Sequence, residues 1–125
     1  MSNREATLTA ANIRYLLALH ELDSGDKGAH SSDIAGRLGV TKPSVHTMIK
    51  KFCEKGYVTK EKYGTVHLTA LGKQLAERYA KQYALLYGKM EHSLELPPED
   101  CRTAVCAVLE QISSKELMEA EKQEV

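Results

Sequence analysis

Residues 31–58 read SSDIAGRLGVTKPSVHTMIKKFCEKGYV, and the fold turns on their periodicity. Ser31 and Ser32 are N-cap candidates for a short helix through Leu38, with Ile34, Ala35 and Leu38 facing inward. Gly39 can adopt the left-handed backbone that a helix C-terminus needs, and ends it. Thr41 is a suitable N-cap for a second helix, and Pro43 fits its first turn, where no backbone donor is missed. Val45, Met48, Ile49 and Phe52 then recur at i, i+3, i+4 and i+7, a buried stripe. Pro43, His46, Thr47 and Lys50 gather on the opposite face, with Ser44 and Lys51 along one flank, until Gly56 stops the helix.

Working outward, residues 7–23 predict a helix with the apolar stripe Ile13, Leu16, Leu17, Leu19 and Leu22. DSGDKGAH (23–30) reads as a polar, glycine-containing break. YVTKEKYGTVHLT (57–69) predicts a two-stranded ribbon turning at Tyr63-Gly64, with Val66 and Leu68 on one face and Thr65 and His67 on the other. Thr69 caps a long helix to about Met90, striped by Leu75, Tyr79, Tyr83, Leu86 and Met90. After Pro97 and Pro98, a last helix over about 99–122 carries Cys101, Val105, Val108, Leu109 and Ile112 on one side. The expected fold is mainly α with a small β-wing. A winged helix-turn-helix DNA-binding domain spans 1–68, and a two-helix dimerisation segment spans 69–125.

A chain of 125 residues can bury a core without staples. No apolar run approaches the roughly 20 residues of a membrane span, and MSNREATLTAAN lacks a signal-peptide layout. Three cysteines without a CxxC make no disulfide framework, so a reducing cytoplasm is expected. There is no Ser/His/Asp or Cys/His arrangement and no glycine-rich phosphate loop, so an enzyme is not expected. The net charge is zero, but it is unevenly placed. Residues 42–62 hold six lysines against Glu54 and Glu61, whereas residues 91–125 hold nine carboxylates against Arg102, Lys115 and Lys122.

That basic segment carries the polar face of the second helix, and its chemistry suits double-stranded DNA. Lys42, Lys50 and Lys51 can meet phosphates, while Thr41, Ser44, His46 and Thr47 are short hydrogen-bonding groups near a helix N-terminus. Lys60, Lys62 and Tyr63 on the ribbon can reach the backbone or the minor groove. The alternative is a winged helix that docks protein and binds no DNA. His20, His30, His67 and His92 stand at no metal-ligand spacing and are expected at the surface or at helix caps. Cys53, near a helix end, is expected to be packed.

The turn DIAGRLGVTKPSV, the short wing KYGTVHLT and the helix opening LTALG resemble the diphtheria toxin repressor family of iron- and manganese-dependent transcriptional regulators, over about residues 8–114. The match is to a short form without the C-terminal SH3-like domain, closest to the manganese-sensing branch. The resemblance implies a homodimeric repressor of palindromic operators, with Thr41, Pro43, Ser44, His46 and Thr47 at DNA-contacting positions. The family's metal-ligand positions fall here on Ala11, Arg14, Tyr83, Cys106, Leu109 and Glu110, and a second set on Tyr83, Tyr87 and Arg102. Cys106 and Glu110 are the only donors among them suited to a metal, too few for a divalent site. No cofactor is therefore expected, and Arg14 is expected to pair with Glu110 where the family holds its ion. The alternative is a manganese- or iron-responsive repressor with a non-standard site.

Overall fold

A computed structural model describes residues 8–23 and 27–112. Helix α1 covers Ala10–Leu22. Its start is fixed because Thr9 and Asn12 cap each other: Asn12 N–H donates to Thr9 Oγ1 at 3.1 Å and Thr9 N–H to Asn12 Oδ1 at 3.3 Å. A two-residue strand β1, Ala29–His30, leads directly into α2, Ser31–Leu38. The N-cap is therefore His30, extended at φ −93° and ψ 148°, rather than Ser31 or Ser32. Pairing of Ala29 with Val66 and His30 with Thr65 holds the backbone extended up to the helix start. Gly39 closes α2 at φ 69°, its N–H returned to the Ala35 carbonyl.

Helix α3, Lys42–Glu54, is followed by β2 (Val58–Lys60) and β3 (Thr65–Leu68), antiparallel with Thr59 opposite His67. With β1 on the other edge of β3, the expected two-stranded ribbon is a three-stranded sheet in the order β1-β3-β2. The long helix α4 runs Ala70–Leu94, one turn beyond the expected end, and α5 runs Pro98–Glu110. The part of the last helix expected beyond residue 112 lies outside the described residues.

Two compact units result: Arg14–Ala76, and the residues on either side of it. The first unit centres on Leu16, Leu19, Ile34, Val45, Ile49, Phe52 and Val66, all buried. Within it, the opening turn of α4 locks onto the chain before β2. Thr69 Oγ1 accepts Gly72 N–H at 3.0 Å and donates towards the Gly56 and Tyr57 carbonyls at 2.6 and 3.1 Å. A Cβ on Gly72 would stand 2.0 Å from the Tyr57 carbonyl oxygen, so only glycine allows this approach. Threonine as cap and glycine as contact account for the LTALG opening. Tyr57 itself packs edge-on against Phe52, with centroids 5.6 Å apart, and burial pushes its phenol above the ordinary value.

Candidate nucleic-acid interface

The buried stripe of α3 orients everything else on that helix. Val45, Ile49 and Phe52 are buried, which turns Lys42, Pro43, Ser44, His46, Thr47, Lys50 and Lys51 outward, all exposed. Thr41 caps the helix, accepting Ser44 N–H at 3.2 Å while its hydroxyl donates to Ser44 Oγ at 2.9 Å. The Thr47 hydroxyl donates to the Pro43 carbonyl at 3.1 Å, which leaves its oxygen as an acceptor for an outside donor. The start of α3 thus presents hydroxyl oxygens that can still accept a donor, with Lys42, Lys50 and Lys51 exposed on the same helix.

The wing is short and stiffly closed. Glu61 N–H donates to the Thr65 carbonyl at 2.8 Å, and Gly64 N–H to the Glu61 carbonyl at 2.9 Å, with Gly64 at φ 87°. This turn projects Lys62 and Tyr63 into solvent, Tyr63 being 87% exposed. Both candidate surfaces expected from the sequence, the α3 face and the wing tip, belong to the Arg14–Ala76 unit.

The metal-ligand positions lack the donors for an ion. Cys106 is buried, Tyr83 is a phenol pushed above its ordinary value by burial and by the Cys106 thiol, and Leu109 is apolar. The Glu110 carboxylate accepts Ala10 N–H at 3.1 Å, and the exposed Arg14 guanidinium donates to the Leu38 carbonyl at 3.5 Å. Each of the two residues expected to pair therefore has a partner within its own unit. Among the described residues, no group of three or more His, Cys, Asp or Glu is arranged to hold a metal ion. The residues present do not fit the family's metal. Tyr83 and Tyr87, the other positions of interest on α4, stack on each other at 5.7 Å.

Two expectations need correction. Cys53 is exposed, because the α3 stripe that buries Phe52 turns the next residue outward. His67 is not a bare surface histidine, since it lies between the carboxylates of Asp23 and Glu61. Asp23 was hidden in a stretch that reads as a loop, and its only signal is that it directly follows the end of α1.

Comparison with known proteins agrees with this geometry. The HTH-type transcriptional regulator MntR of Lysinibacillus sphaericus (strain C3-41) is 40% identical over 58 residues, 46% of this chain and 42% of that protein. The manganese regulator SloR is 22% identical with a TM-score of 0.71, covering 89% of this chain and 52% of that one. IdeR of T. acidophilum is 20% identical with a TM-score of 0.65, covering 90% and 54%. The chain spans about half the length of these relatives, and the two solved structures show the shared fold. Residues 7–66 match the family described as iron dependent repressor, N-terminal DNA binding domain. Over this segment, just under half of its length, the chain is similar to the DNA-binding domain of the iron-dependent repressors.

Proposed function

We propose that this protein is a sequence-specific, DNA-binding transcriptional regulator, acting as a repressor in the cytoplasm, whose metal response has been lost or replaced. The observation that carries the reading is the exposed face of α3, where Ser44, His46 and Thr47 stand among Lys42, Lys50 and Lys51 opposite the buried Val45, Ile49 and Phe52. Such a helix fits the major groove, lysines against phosphates and the short polar groups toward base edges. Lys62 and Tyr63 at the wing tip would add backbone contacts. The family is one of repressors rather than enzymes.

A homodimer on a palindromic operator suits one helix-turn-helix per protomer. The apolar surface left for a second copy is narrower than the stripes suggested. Tyr79, Val105 and Leu109 are buried within the protomer, while Leu85, Leu94 and Val108 are exposed. A second copy could cover those three residues. Light scattering at micromolar concentration checks this, with a monomer as the contrary result.

In place of an ion, the bond from Ala10 N–H to Glu110 ties the first turn of α1 to the last turn of α5. The decisive experiment is binding of the chain to the DNA upstream of its own gene, with and without EDTA. Binding that is indifferent to EDTA is expected. Loss on chelation and recovery with Mn(II) or Fe(II) would favour the metal-responsive reading. No binding to any duplex at low salt would favour a protein-docking module.

A further inference from the structure

His67 has a carboxylate at each ring nitrogen. Glu61 Oε2 lies 3.0 Å from Nε2, and Asp23 Oδ1 lies 3.8 Å from Nδ1. The two acids are held very differently. The Asp23 side chain is buried and accepts two backbone donors, Gly28 N–H at 2.6 Å and Leu68 N–H at 2.9 Å. Glu61 starts the wing turn, next to Lys62 and Tyr63, and its side chain is 63% exposed. The imidazole is also confined, since a Cβ on Gly28 would stand 2.7 Å from its Cε1 atom.

We infer that Asp23, His67 and Glu61 form a proton-gated clamp that positions the wing, so that affinity for DNA rises as the pH falls and His67 takes up a proton. This rests on the DNA-binding reading of the wing and α3. A neutral imidazole has one N–H and one lone pair. If Nε2 carries the proton, Glu61 is held but a lone pair faces the anion of Asp23. If Nδ1 carries it, Asp23 is served and Glu61 is released. Only the imidazolium keeps an N–H toward Glu61 at 3.0 Å while placing a positive charge beside Asp23 at 3.8 Å. Asp23 is pinned by two backbone donors and cannot retreat, so Glu61 and the turn it begins are what move.

The protonated ring also offsets the charge of Glu61, which stands between Lys60 and Lys62 on the surface that would meet phosphate. The other ionisable residues of the strands and their adjoining segments are Lys27 before β1, His30 in β1, Lys60 in β2, and Lys62 and Tyr63 in the turn. None of these is an acid, so Asp23 and Glu61 are the carboxylates that respond to the ring among the described residues of these elements. Imidazole is the side chain whose charge ordinarily changes between about pH 5 and 8.

The test uses the full chain labelled for NMR, first without DNA. The Lys62 and Gly64 amide signals should follow the titration of the His67 ring, and should cease to follow it in Glu61→Gln, an exposed and conservative change. Wing amides indifferent to the ring would overturn the inference. In fluorescence anisotropy at constant ionic strength, wild type should bind duplex several-fold more tightly at about pH 6 than at about pH 8. Glu61→Gln and His67→Gln should each flatten that dependence, while His46→Gln, removing the other histidine near the DNA, should keep most of it. An unchanged pH profile in Glu61→Gln would also overturn the inference. A chain that binds duplex at neither pH would reject the DNA reading, and the wing titration would still judge the clamp.

Discussion

Glu110, the last residue of α5, accepts the backbone N–H of Ala10, the first residue of α1, although the two are 100 positions apart. The first N–H groups of a helix have no partner within it, and the positive end of the helix dipole favours an anion there. A carboxylate used in this way has one oxygen committed to protein structure.

Glu110→Ala should lower stability by about 1–2 kcal/mol, the range for a partly buried hydrogen bond to a charged group. Glu110→Gln should cost about half as much or less, because an amide oxygen still accepts. Urea unfolding of the two variants checks this. Equal losses would mean that the charge, not the bond, is what matters.

Replacing Lys42, Lys50 and Lys51 by alanine should weaken duplex binding and flatten its salt dependence. Each phosphate no longer neutralised by a lysine should reduce the slope of log K against log salt by about 0.9. His46→Ala or Thr47→Ala should instead relax sequence preference with less effect on the slope. Titrations at several salt concentrations, with specific and scrambled duplexes, separate the two patterns.

Gly72→Ala should be severe, since its methyl carbon would meet the Tyr57 carbonyl oxygen at 2.0 Å, and a backbone atom cannot swing away. A loss of about 3 kcal/mol or more is expected, seen as a fall of about 10 °C or more in melting temperature. Gly36→Ala, where a Cβ meets nothing within 4 Å, is the matched control and should be neutral or stabilising.

Burial raises the phenols of Tyr15, Tyr57 and Tyr83 in the folded protein. A raised value means that the folded state keeps a proton that the unfolded chain releases. The stability this contributes is intact below about pH 10, the ordinary phenol value, and is lost as the pH rises through the folded values. Tyr57→Phe should therefore lose less stability than wild type between about pH 9 and 11. Denaturant midpoints at the two pH values measure the difference.

Local chemistry was enough to read the α2–α3 turn. The left-handed Gly39, the Thr41 cap, Pro43 in the first turn and the Val45–Ile49–Phe52 stripe each act within a few residues, so the outward face of α3 follows from sequence. The same holds for Thr69 and the start of α4. Strand β1 was illegible because two residues carry no periodicity, and Ala29 and His30 are strand only through pairing with Val66 and Thr65. Asp23 reads as one more polar loop residue until Leu68 N–H, 45 positions away, is brought to it. Glu110 reads as one more acid until Ala10 arrives. Tyr79, Val105 and Leu109 look available to a partner until the protomer itself buries them. Periodicity tells which face of an element is apolar. Which element covers that face, and which distant backbone donor a buried carboxylate meets, is decided only when the chain closes on itself.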